Sequence, residues 1–230
     1  MRKMLLQGFL GAGIRRPLFD AVSSGVLSGG TTSTHAHTCS GTNRALFVSV
    51  AHSPVQEDLS GVTYAGVAMV LIDSIVNPTG GLLKFWKLSN PASGSNNIVV
   101  TFTGGGEGGT IGAVSFTDAN QVTANLTGTP AKGSSFINPP GPGTASVNVS
   151  SSPAETVIDA MMFGNDPANA NPQVGAGQTE RYNLYTVVGA SVGVAGSTED
   201  GASSVTMSWG LSAPSFQVGW CIIGVGVKSP

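Results

Sequence analysis

The chain has 230 residues, 10% of them charged and 33 of them glycine, and its formal net charge is −2. Ordinary soluble domains carry about a quarter charged residues, so a surface this poor in charge is one that another surface covers. The balance gives no electrostatic case for nucleic acid, and no run reaches the roughly 18 consecutive apolar residues of a membrane span.

Arg2, Lys3, Arg15 and Arg16 are four of the ten basic residues, and no acid precedes Asp20, so the remainder carries six basic against twelve acidic residues. A basic arm thus precedes a mildly acidic body, and such an arm is suited to an acidic neighbour or a protein surface. Met1-Arg2-Lys3 and the mildly apolar run from Met4 to Gly13 have the outline of a signal peptide. Gln7, Gly8 and Gly11 interrupt that run, however, and no small-residue cleavage site precedes Arg15-Arg16. Residues 1–18 are therefore expected to remain as an N-terminal arm, with Leu5, Leu6, Phe9, Leu10 and Ile14 as apolar anchors and Arg15 and Arg16 at its end.

The join falls near Arg16-Pro17, and residues 19–230 read as one body of short strands separated by Gly, Pro, Asn and Ser. In chain order the strands are expected at Thr31 to Thr38, Arg44 to His52, Gly61 to Tyr64, Val67 to Ser74, Leu82 to Leu88 and Asn97 to Thr103. They continue at Ile111 to Thr117, Ala145 to Ser150, Glu155 to Met162, Glu180 to Val188, Ser203 to Trp209 and Phe216 to Lys228. Ile98, Val100 and Phe102 alternate with a mixed face, as do Val205, Met207 and Trp209, the signature of half-buried antiparallel strands. Tyr64-Ala65-Gly66-Val67 reads as a tight hairpin, and Asn77 to Gly81 and Asn90 to Gly94 as loops. The prolines of Lys132 to Gly143 make that stretch an extended surface loop, and Gly164 to Gly177 is a second irregular stretch. There is no exact internal repeat. Many short strands with such turns predict a single antiparallel β-sandwich of jelly-roll type.

No constellation supports catalysis. His35, His37 and Cys39 fall on one strand face, but neighbours on that face stand about 7 Å apart, too far to share a metal; they read as polar residues near an edge. Gly104 to Gly109 formally satisfies G-x-G-x-x-G, yet a strand follows where a phosphate site needs a helix, so it reads as a hairpin loop. Glu57-Asp58 and Glu199-Asp200 are adjacent pairs, unlike the facing carboxyls of a glycosidase, and read as solvated loop charge, with calcium as the weaker reading. None of the histidines (His35, His37, His52) is matched to a serine in a nucleophile elbow. Trp86, Trp209 and Trp220 could form a sugar-stacking platform, but Trp209 and Trp220 lie in apolar strands and read as core. Cys39 and Cys221 read as two buried free thiols rather than a disulfide framework.

Phe19-Asp20-Ala21-Val22-Ser23-Ser24-Gly25 opens the body, and His37-Thr38-Cys39-Ser40-Gly41-Thr42-Asn43-Arg44 follows. Then come Val62 to Val67, Trp86-Lys87-Leu88-Ser89-Asn90-Pro91, Gly112 to Phe116, Gly175 to Arg181 and Val205 to Trp209. Together these strings resemble a β-sandwich module of tailed-phage virion structural proteins that also occurs in bacterial surface proteins, over about residues 19–228. The resemblance implies no catalytic residue and no cofactor. It implies a virion structural protein on the capsid surface, a decoration (cement) or minor capsid protein. Its partners would be the major capsid protein or other virion proteins, and further copies of itself. A phage tail or receptor-binding component and a secreted carbohydrate-binding or adhesion module are the alternatives.

Overall fold

Strands whose two faces are both apolar can only sit between two other layers, and several stretches of this chain are of that kind. Ala45-Leu46-Phe47-Val48-Ser49-Val50-Ala51-His52 and Val218 to Val227 are buried at every position. The computed structural model describes residues 15–230 apart from 54–58, 107, 123–125, 140, 165–169, 188–190 and 213–215, and shows where these strands go.

All sheets are antiparallel. The first half of the chain forms β1 (Leu18–Leu27), β2 (Gly30–Cys39), β3 (Ala45–His52), β4 (Leu59–Tyr64), β5 (Val67–Ala68), β6 (Val70–Val76), β7 (Leu82–Ser89), β8 (Gly94–Gly106) and β9 (Gly109–Thr117). They make an inner sheet in the order β1-β9-β3-β7-β6 and an outer sheet in the order β2-β8-β4-β5. The second half forms β10 (Leu126–Ile137), β11 (Gly143–Ser150), β12 (Thr156–Gly164), β13 (Gln173–Val174), β14 (Thr179–Thr186), β15 (Val192–Asp200), β16 (Ser204–Leu211) and β17 (Val218–Val227). Its inner sheet runs β10-β17-β12-β15-β14 and its outer sheet β11-β16-β13.

The two orders are the same order. Each half sets its first strand beside its last and its second strand beside its last but one. Even an irregularity recurs: the register slips at Leu71/Asp73 in β6 and at Glu180/Tyr182 in β14, in each case on the edge strand. The chain therefore contains a repeat of topology that its sequence hides.

The four sheets stack as outer, inner, inner, outer. Leu46, Val48 and Val50 of β3 face the first outer sheet and meet Ile98, Val100 and Phe102. Phe47 and Ala51, on the opposite face, meet Ile158, Ala160 and Met162 of β12 and Ile223 of β17. Val157, Met161 and Phe163 face the second outer sheet and meet Met207 and Trp209. Between the inner sheets β1 lies against β14 and β6 against β10, while β9 faces β15 and β17 faces β7. Exchanging each strand for its counterpart reproduces this pattern, so the halves are related as the subunits of an isologous dimer. Asn77 fastens them: its Nδ2 donates to Gly219 O at 2.9 Å, while its Oδ1 accepts from Thr79 N at 2.9 Å.

Most expected strands are present. The Tyr64 to Val67 hairpin is there, with Ala65 at φ 50° and Gly66 at φ 78°, the left-handed pair a two-residue turn requires. Val67 to Ser74 divides at Met69 into β5 and β6, which belong to different sheets. Part of the stretch read as a loop from Lys132 is strand: β10 runs to Ile137 at a sheet edge, where Pro130 costs no ladder bond. Gly104 to Gly109 is not a hairpin, because β8 and β9 lie in different sheets and the glycines span the crossing between them. One sandwich was expected, and the chain builds two sheet pairs of one topology stacked inner face to inner face.

Candidate interaction surface

The expected anchors Leu5, Leu6, Phe9, Leu10 and Ile14 lie outside the described residues, whereas Arg15, Arg16 and Pro17 are described. Arg15 is exposed. Arg16 Nε donates to Pro153 O at 2.6 Å, and its NH1 pairs with Asp200 at 2.8 Å. Thr156 Oγ1 donates to Pro17 O at 2.9 Å. Arg16 and Pro17 thus lead into the first half while fastened to the second, at the edge where β1 meets β14.

A cleft of about 570 Å³ opens there, between the two inner sheets, lined among others by Arg16, Phe19, Thr179, Arg181, Thr198 and Glu199. The Arg181 guanidinium lies over the Phe19 ring at 3.9 Å from the centroid, a cation–π contact. Its Nε donates to Thr198 Oγ1 at 2.8 Å. Burial lowers the Arg181 pKa, and burial, then neighbouring Asp200, raises that of Glu199. The cleft offers charge and hydrogen bonds for holding a polar group. From the sequence, Arg181 stands only within the string Gly175 to Arg181 and has no role, because the ring and hydroxyl that position it, of Phe19 and Thr198, come from the other half and another strand.

Exposed large apolar side chains occur on both halves among the described residues, with Phe136 on β10 and Tyr185 on β14 in the second, and more of them lie on the first. Along β1, Leu18, Phe19, Val22 and Val26 are exposed, and at the opposite edge of the same inner sheet Val70, Leu71 and Val76 are exposed, with Val67 of β5 beside them. A register slip interrupts all four edge strands of the inner sheets, and those of the second half add proline and charge against strand pairing: Pro130 and Lys132 on β10, Glu180 and Arg181 on β14. Lys132 is engaged as well, its Nζ 2.9 Å from Asp73 Oδ1 across the inner sheets.

His35, His37 and Cys39 face β1 from the edge strand β2, as same-face residues must. Ser23 Oγ and His37 Nδ1 are 2.8 Å apart. A nucleophile would need its base poised near the working pH and oriented by an acid. His37 is 2% exposed, and burial, against the pull of Asp20, takes its pKa down to about 4. The nearby carboxylate, Asp20, accepts instead from Ser40 N and Ser115 Oγ at 2.8 Å each, and from Ser40 Oγ. This pair holds β1 to β2. Cys39 and Cys221 are both free and buried, in different interlayers. All three tryptophans are buried. Glu57-Asp58 lies outside the described residues, whereas Asp200 is the partner of Arg16. Among the described residues no three His, Cys, Asp or Glu side chains are grouped to hold a metal.

No family model matches the chain, and no curated protein sequence is similar to it.

Proposed function

We propose that the chain is a virion structural protein, a decoration or minor capsid component that coats a tailed-phage head through its arm and its apolar edges. We read each half as jelly-roll type, since the first strand lies beside the last and the second beside the last but one in both. Jelly rolls serve as capsid and lectin modules alike, so the fold is compatible with this role and with others, and the role is argued from the surface.

The observation that carries the reading is the seat of Arg16. Its bonds to Pro153 and Asp200 fix the point from which residues 1–14 depart, beside the exposed Leu18 and Phe19 at the start of β1, along which Val22 and Val26 are exposed further on. A tethered apolar segment next to a strand edge with exposed apolar side chains is an arrangement for gripping a neighbour. Low charge lets the flanks pack on further copies, and a few apolar anchors dominate such contacts.

The test is sedimentation with head particles prepared from a lysate that lacks the protein. Deleting residues 1–14, which spares Arg16, is expected to abolish co-sedimentation while the thermal unfolding of the body is unchanged. Retained binding after that deletion would overturn the reading.

A further inference from the structure

The first half carries an apolar groove of about 430 Å³ between its two sheets, where the edge strands β4–β5 and β6 approach each other. Leu59, Val62, Met69 and Trp86, all largely buried, form its apolar floor, and Leu71 stands at its rim. Ser60, Thr63, Thr101 and Lys84 also line it, with Lys84 Nζ donating to Leu59 O at 2.7 Å. Val67 and Val70 extend the apolar surface outward, Val70 being 59% exposed.

The other half shows what such a gap accepts. There the corresponding space lies between β13 and β14, and residues 175–178 close it. Gly175 N donates to Ser208 O at 2.9 Å. Gln178 spans the two sheets: its Nε2 donates to Ser197 Oγ on the inner sheet at 2.6 Å, and its Oε1 accepts from Ser208 N on the outer sheet at 2.7 Å. In the first half only Met69 separates β5 from β6. Trp86 there holds the place of Ser197, each lying opposite the residue before the edge-strand slip. One topology thus has a chain segment in the gap on one side, and on the other a groove without one, crossed by the Lys84 to Leu59 bond and rimmed by apolar side chains.

We propose that residues 4–14 of a second copy fill this groove and join the copies head to tail. The inference rests on the reading that the arm docks on a neighbour. Met4-Leu5-Leu6-Gln7-Gly8-Phe9-Leu10-Gly11-Ala12-Gly13-Ile14 contains no charge, and its Leu, Phe and Ile side chains match Leu59, Val62, Met69, Leu71 and Trp86. Its Gln7 and backbone carbonyls can accept from Lys84, and its glycines allow close approach to a backbone. The arm leaves from β1 and the groove lies beyond β6, at opposite edges of one five-stranded sheet. Copies aligned edge to edge therefore bring the arm of one beside the groove of the next, a heterologous contact that makes rings or chains. Fourteen residues reach at most about 50 Å, ample for that step.

The experiment is sedimentation velocity on the full chain, the groove variant Leu71→Glu and the arm variant Phe9→Glu. Leu71 is at an exposed rim, so its variant should melt like the parent; Val70→Glu repeats the test at a second exposed position. The full chain is expected to self-associate, and each variant alone to do so at least tenfold more weakly. Mixing the two variants should restore a one-to-one complex, since one keeps its arm and the other its groove. A full chain that is monomeric, with the arm on its own groove or on none, overturns the proposal. So does Leu71→Glu associating like the parent while Phe9→Glu does not; in that case the arm docks elsewhere, and arm-mediated attachment to heads still stands.

Discussion

Tyr182 and Ser49 meet hydroxyl to hydroxyl, 2.7 Å apart, across the interface between the two inner sheets. The Tyr182 ring has room because its neighbours are glycines: a Cβ at Gly112 would stand 2.2 Å from it, and one at Gly196 2.3 Å. The contact joins the edge strand of one half to the middle of the other half's inner sheet. Gly112→Ala should cost about 1–3 kcal/mol by overpacking. Tyr182→Phe should cost about 1 kcal/mol, since Ser49 Oγ keeps a bond to Gly112 O at 3.3 Å. Urea unfolding should show one transition for both variants and the parent, because the halves share a core. Two separated transitions in the parent would contradict the stacked arrangement.

Asp159 is wholly buried and accepts from Ser197 N at 2.6 Å, Ser197 Oγ at 2.9 Å and Trp209 Nε1 at 2.7 Å. Burial raises its pKa to about 7 despite those three bonds. The folded state thus holds this proton more tightly than the unfolded chain, whose Asp titrates near 3.9. The associated stability is full below about pH 4 and is lost as pH rises through about 7, on the order of a few kcal/mol. Asp159→Asn should remove that slope. It should also cost about 1–3 kcal/mol at low pH, because an amide turned to accept from Ser197 presents N–H to the Trp209 N–H. Denaturant midpoints from pH 4 to 8 check both.

His37 acts with the opposite sign. Its folded pKa, about 4, lies below the ordinary histidine value of about 6.5, burial being the main cause. Its contribution is present above about pH 6.5 and is lost as pH falls toward 4, because the unfolded chain takes the proton first. The two groups oppose each other across one window, so single variants separate them. Asp159→Asn should gain stability steadily from pH 4 to 6.5, and His37→Phe should lose it steadily from pH 4 to 7. Parallel profiles for the two variants would rule this assignment out.

Cys39 and Cys221 are 1% and 0% exposed, and burial raises both thiol pKa values. A thiolate is the reacting form. Neither should react with an aromatic disulfide reagent at pH 8 until denaturant is added, when two thiols per chain should appear. Rapid reaction of the native protein would place one of them at the surface.

Much of this fold is legible in the residues themselves. Ile98, Val100 and Phe102, and Val205, Met207 and Trp209, alternate as expected and point inward. What escapes the sequence depends on partners far along the chain. β15 (Val192–Asp200) is rich in glycine and reads as no strand, yet Phe163 lies over Gly193 and Tyr182 over Gly196. The repeat is hidden because equivalent places carry different chemistry: Val48 in β3 answers to Asp159 in β12, and Trp86 to Ser197. The seat of Arg16 is hidden too, since the residue that pairs with it is Asp200, far along the chain.

The most direct test of the assembly role is to count copies by quantitative mass spectrometry of gradient-purified particles from the source lysate. A head-coating protein predicts peptides of this chain at hundreds of copies per particle. A handful of copies would contradict the coat role and place the protein in a tail or at a vertex; absence from particles would contradict a virion role altogether.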